Sequence, residues 1–158
     1  MVTWKTDVDA IPLHTVLIVS DQQENIATWD ALFSQRNCVV LSESNVSDAL
    51  QSARLISPSL MLIDMNLPKP ERTSLIAGLR SASRGPILML ITANTIDEIV
   101  EANQEGADEC LVKPVNQAVL VVKAIAWLGH GQRNERSPAL LGVTLCVIFL
   151  LLYSIQHR

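Results

Sequence analysis

Five short apolar runs recur along the chain without alternating with polar residues, and four of them end in a hydroxyl, a carboxylate or an ammonium. Thr15 to Val19 runs into Ser20-Asp21, Leu60 to Ile63 ends at Asp64, Ile87 to Ile91 ends at Thr92-Ala93, and Glu109 to Val112 ends at Lys113-Pro114; Cys38 to Leu41 is the fifth. Short, β-branched, non-alternating runs fit strands buried on both faces of a parallel sheet. Amphipathic segments lie between them. Glu24 to Gln35 carries Ile26, Trp29, Ala31, Leu32 and Phe33, and Val46 to Leu55 carries Ala49, Leu50 and Ala53, with Ser44 or Asn45 as its N-cap. A helix after Pro68 and Pro70 carries Leu75, Ile76 and Leu79, Asp97 to Gln104 is closed by Gly106, and Val115 to Leu128 is the last. Five strands alternating with five helices imply a parallel, three-layer α/β domain over residues 15–129, preceded by a tail, residues 1–14.

Composition narrows the function. The 158 residues are 49% hydrophobic but only 4% aromatic and 18% charged, so apolar residues exceed what one core of this size needs. A net charge of -4 with scattered lysines and arginines gives no basic surface for a phosphate backbone, so direct nucleic-acid binding is not expected. Cys38, Cys110 and Cys146 are odd in number and widely spaced, which fits a reducing compartment. His14, His130 and His157 lie outside the predicted elements and at no ligand spacing, so no zinc site is expected. Residues 1–14 lack a long apolar stretch and carry Asp7 and Asp9, unlike a secretory signal.

The surplus apolar residues collect at the C-terminal end. After a polar linker, residues 130–137, the 20 residues from Ser137 to Gln156 hold no charge. A helix of that length rises about 30 Å, the thickness of a bilayer's hydrocarbon core. A transmembrane helix over residues 138–156 is therefore expected, with Arg133 and Arg136 on its near flank favouring a cytoplasmic domain. The linker spans at most roughly 28 Å, which would keep the domain close to the membrane.

In open parallel sheets, ligands bind beyond the C-terminal ends of the strands where the winding direction changes. Two carboxylates gathered there, Asp21 and Asp64, repel each other unless a hard cation such as Mg²⁺ lies between them. Asp64 suits a nucleophile toward phosphorus, because a carboxylate needs positioning and charge neutralisation but has no proton to lose. The Lys113 ammonium can offset charge on the transferring oxygens, and the Thr92 hydroxyl can donate to one of them. Singly, a strand-end Asp or Thr is more often a helix cap, and a Lys before Pro a solvated turn. Their ordered occurrence at successive strand ends gives the phosphoryl site its weight.

Four segments, Val16-Leu17-Ile18-Val19-Ser20-Asp21, Leu62-Ile63-Asp64-Met65-Asn66-Leu67-Pro68, Leu90-Ile91-Thr92-Ala93 and Gly106 to Pro114, resemble the receiver domains of two-component response regulators over Thr15 to about Leu128. The resemblance implies a flavodoxin-like (βα)5 sandwich. It also implies Asp64 phosphorylated by a histidine kinase or histidine phosphotransfer protein, Mg²⁺ held by Asp21, Asp64 and the Asn66 carbonyl, and Thr92 and Lys113 on the phosphoryl group. Receivers usually carry two adjacent acids after the first strand. Here the first is Ser20, which should weaken Mg²⁺ binding without abolishing it. The place of the switch aromatic is taken by Cys110, so the usual threonine and aromatic coupling cannot operate in its standard form. Arg72, where the family has a small residue, and the position of Pro86 read as loop variation.

The last helix has one charge, Lys123, and two apolar stripes: Leu120, Ala124 and Trp127 on one side, Val119, Val122 and Ala126 on the other. One can face the sheet. The first is taken as the candidate interface for self-association, since this helix in receivers commonly belongs to a dimer or output surface; the alternative buries both stripes with the N-terminal tail, using Trp4 and Leu13. The expected function is that of a membrane-tethered phosphoacceptor without an attached output domain, not an enzyme in its own right. The alternative is a pseudo-receiver that binds partners without phosphorylation. A phosphatase would want an acid where Asn66 stands, and a flavin-binding relative a Ser/Thr/Gly-rich loop after the first strand.

Overall fold

A computed structural model describes residues 13–133. Strands β1 (His14–Ser20), β2 (Cys38–Glu43), β3 (Leu60–Asp64), β4 (Ile87–Ile91) and β5 (Glu109–Val112) alternate with helices α1 (Gln23–Ser34), α2 (Val46–Ile56), α3 (Lys69–Ala82), α4 (Ile96–Gln104) and α5 (Gln117–Arg133). All pairings are parallel, in the order β2-β1-β3-β4-β5. His14 and His130 thus fall inside β1 and α5, where neither was expected within an element. The chain divides into a unit ending at Leu128 and a second beginning at Gly129. α5 runs on through Arg133, so the first residues of the predicted linker are helical. The predicted membrane helix, residues 138–156, lies outside the described residues. Among those described, no helix is long and apolar enough to cross a membrane.

The lack of alternation in the strands has the expected cause. Val16, Ile18, Leu60, Leu62, Leu88 and Leu90 pack on one face with Trp29 and Phe33 of α1 and Leu120, Val121, Ala124 and Leu128 of α5. The intervening Leu17, Val19, Met61, Ile63, Ile87, Met89 and Ile91 pack on the other face with Ala49 and Ala53 of α2, Leu75, Ile76 and Leu79 of α3, and Ala102 of α4. In β1 from Val16 onward, and throughout β3 and β4, each apolar strand residue meets a helix layer whichever way it points, whereas the outer strands β2 and β5 are only partly buried and carry Ser42, Glu43 and Glu109. Local signals set the helix ends. Asn45 is the cap of α2, its side chain accepting from the Asp48 amide at 2.8 Å, and Thr95 caps α4. Gly106 takes φ +107° beyond α4, a conformation that side chains disfavour.

The two faces of α5 are exchanged relative to expectation. Leu120 and Ala124 are fully buried against the sheet, whereas Val119 and Val122 are 50% and 61% exposed. Trp127 is half-buried beside the same core, and its indole N–H donates to the Glu109 carboxylate at 2.6 Å. The sheet-facing set includes Val121 and Leu128 as well, so it is the broader and bulkier of the two and gains more from burial. Leu13 is 68% exposed and does not cover this helix as a buried plug.

Candidate functional site

The order β2-β1-β3 means that the chain winds outward from β1 to β2 and then returns past β1 to β3, which opens a crevice at the C-terminal ends of β1 and β3. Register places Ser20 of β1 directly beside Asp64 of β3. Asp64 ends a strand buried throughout and is itself only 1% exposed. A carboxylate so deep is costly to bury without partners. Its Oδ1 is ion-paired with the Lys113 ammonium. Its Oδ2 accepts from the Ser20 hydroxyl and from the Asn25 side-chain amide, both at 3.4 Å.

Lys113 is delivered by the β5–α5 turn. Its amide donates to the Ile91 carbonyl at the end of β4 (2.9 Å), and the following bond to Pro114 is cis. Asp21, Asn66 and Thr92 sit at the exposed rim, at the ends of β1, β3 and β4. The strand-end residues chosen from the sequence therefore lie at one edge of the sheet, around one buried carboxylate with a cation against it. Such an arrangement can receive a phosphoryl group: the carboxylate attacks phosphorus, and the ammonium is at hand for the incoming charge.

The donor set suits Mg²⁺, which prefers hard oxygens. Asp64 and Asp21 would supply carboxylates and Asn66 its backbone carbonyl. Among the described residues no group of three or more His, Cys, Asp or Glu side chains could hold a metal, so the set is one acid leaner than a three-carboxylate site. The Ser20 hydroxyl accepts from the Gln22 amide at 3.1 Å and turns its proton to Asp64.

Two residues of the site went unread in the sequence. Asn25 and Gln117 follow Asp21 and Lys113 by four positions, in the first turns of α1 and α5, and the Gln117 side-chain amide donates to Asn25 Oδ1 at 3.1 Å. Helices that start at the sheet's C-terminal edge present first-turn side chains to the site, which is the signal that marks them.

Arg72 is more than loop variation. It lies in the first turns of α3, and its guanidinium grips Glu105 by two bonds, 2.5 Å and 2.6 Å, while also donating to the Leu67 carbonyl at 3.4 Å. The Glu105 side chain is 4% exposed, so this bidentate pair is screened from water and ties α3 to the end of α4. Lys69 and Glu101 pair alongside. Cys110 is half-buried among the apolar side chains of α3, α4 and the sheet; burial, then the nearby Glu105 carboxylate, pushes its thiol up to about 11. It stays a neutral thiol with no ring to swing.

The family model for the response regulator receiver domain matches residues 16–125. This chain belongs to that family. The receiver is 26% identical over 125 residues to the nisin biosynthesis regulatory protein NisR of Lactococcus lactis subsp. lactis, covering 79% of this chain and 55% of NisR. It is 29% identical over 114 residues to the transcriptional regulatory protein PrrA of Mycobacterium tuberculosis, covering 72% and 49%. The receiver thus spans about half the length of the curated relatives it matches. Among solved structures, the N-terminal domain of the nisin resistance regulator NsrR is 29% identical, with TM-score 0.62 over 74% of this chain and 99% of that one. The signal receiver domain of a Luxo repressor protein from Vibrio parahaemolyticus superposes with TM-score 0.69 over 78% and 96%, at 18% identity, which speaks to the fold alone. A flavodoxin-like receiver fold is therefore shown by sequence and by structure.

Proposed function

We propose that this receiver accepts a phosphoryl group on Asp64 from a histidine kinase or histidine phosphotransfer protein, and that it signals by the surface it then presents and not by turning over a substrate. The observation that carries the reading is the buried Asp64 carboxylate at the sheet's switch point, ion-paired to Lys113. Lys113 holds the resting charge and can pass its ammonium to the phosphoryl oxygens as they arrive, while the exposed Thr92 hydroxyl donates to one of them. Asp21, Asp64 and the Asn66 carbonyl would hold Mg²⁺, which when bound supplies charge neutralisation for the transfer. Acetyl phosphate with Mg²⁺ is expected to label the full chain, and EDTA to reduce the label at least tenfold. Equal labelling with and without the cation would remove Mg²⁺ from the account.

A second reading, a pseudo-receiver that binds partners without phosphorylation, is favoured by Ser20 in place of an acid and by Cys110 in place of a ring. Absence of label on the folded chain selects it. Self-association through α5, where it occurs, falls to the exposed Val119, Val122 and Ala126 and not to Leu120, Ala124 and Trp127.

Tethering is part of the proposal. It is supported by the uncharged run from Ser137 to Gln156, long enough as a helix to span a bilayer. The full chain is expected to stay with membranes through a carbonate wash; release into the wash would contradict the anchor.

A further inference from the structure

The contacts of Asp64 have a direction that chemistry imposes. An ionised carboxylate only accepts hydrogen bonds, so Asn25 gives its amino group to Asp64 Oδ2 (3.4 Å) and turns its carbonyl toward Gln117, whose amino group donates to it at 3.1 Å. Ser20, its oxygen already accepting from the Gln22 amide at 3.1 Å, spends its proton on the same Oδ2 at 3.4 Å. The two oxygens of Asp64 are therefore unlike: Oδ2 holds two neutral donors, and Oδ1 faces the ammonium of Lys113.

We propose that Asn25 and Gln117 are positioning residues that shorten the life of the phosphoryl group by stabilising the carboxylate released on hydrolysis. The inference rests on the phosphoacceptor reading and assigns the phosphoryl group to Oδ1, leaving Oδ2 as the carbonyl oxygen of the acyl phosphate. In hydrolysis, water attacks phosphorus and the bond between phosphorus and Oδ1 breaks. The electron pair stays on Asp64 as the ionised carboxylate, and the oxygen and both protons of the water leave with inorganic phosphate. Hydrogen bonds to an ionised acceptor are roughly twice as strong as those to a neutral one, so the donors on Oδ2 tighten as the carboxylate re-forms.

Phosphoryl transfer passes through a loose transition state, with the bond to the leaving oxygen largely broken, so most of that tightening is already felt at the hydrolysis barrier. In the forward direction the new bond to Asp64 is scarcely formed at the barrier. The carboxylate keeps its charge, and the donors change little. The relay thus acts on loss of the phosphoryl group more than on its gain.

The test uses the full-length chain, labelled with acetyl phosphate and Mg²⁺, freed of donor, and followed as the label decays; circular dichroism checks that each variant is folded. Asn25→Ala is expected to lengthen the half-life about fivefold while its labelling rate moves far less. Gln117→Glu is nearly isosteric but replaces the donor with an acceptor. It should turn the Asn25 amino group toward α5 and its carbonyl toward Asp64, and lengthen the half-life as much. A site merely loosened by substitution would label more slowly and lose label no more slowly. Parental half-lives in both variants, or a long half-life in Asn25→Ala alone, would overturn the relay. No label on any chain, the parent included, would overturn the phosphoacceptor reading and this inference with it.

Discussion

Leu120→Asp is expected to abolish the cooperative unfolding transition of this receiver, whereas Val122→Asp, two residues along the same helix, leaves it intact. Leu120 is fully buried in the layer that joins α5 to Val16, Ile18 and Leu62. Truncating such a leucine costs about 2–5 kcal/mol, and placing an unpaired carboxylate in the cavity adds several more. The sum reaches the roughly 5–15 kcal/mol by which a domain is stable at all. Val122 is 61% exposed, and a substitution there changes stability by no more than about 0.5 kcal/mol. Urea unfolding followed by circular dichroism distinguishes the two. A stable Leu120→Asp variant that has lost only self-association would restore the opposite assignment of the two faces.

That assignment shows where sequence reading stops. The three central runs, such as Leu60 to Ile63, were legible because burial on both faces leaves a mark that needs no partner to be read, and the outer runs β2 and β5, only partly buried, through their short apolar stretches between helices. The strand ends were legible for a related reason: in a parallel sheet they share one edge, so Asp21, Asp64, Thr92 and Lys113 fall together as soon as the element order is known. α5 offered two apolar stripes, Leu120-Ala124-Trp127 and Val119-Val122-Ala126, and period alone cannot say which meets the sheet. The weight of Val121 and Leu128 on the first stripe would have decided it. Arg72 was misread because its partner, Glu105, lies 33 positions away, just past the end of another helix. Asn25 and Gln117 are 92 positions apart and meet only because α1 and α5 cover the same face of the sheet.

The departures from the family pattern acquire physical content in the same way. Ser20 leaves the site one acid short, yet its proton goes to the carboxylate that the metal would share. Cys110 is a half-buried neutral thiol, so phosphorylation cannot be read out by a ring moving at that position. The Arg72–Glu105 pair holds α3 to the end of α4. Removing one member would strand the other in a poorly hydrated site, which is the costly way to break a buried ion pair.

The central claim is that Asp64 is the phosphoacceptor, and the Asp64→Asn substitution makes the largest functional difference expected. An amide keeps the shape and can still accept from Ser20, but it is not a nucleophile toward phosphorus and offers Lys113 no charge. Its neutrality also relieves the burial of a carboxylate that is 1% exposed, so the variant should unfold at a denaturant concentration close to that of the parent. The deciding measurement is intact-chain mass spectrometry of parent and Asp64→Asn after acetyl phosphate and Mg²⁺. The account predicts one added phosphoryl group, labile to hydroxylamine, on the parent and none on the variant; equal labelling of both chains, or none on a folded parent, would contradict it.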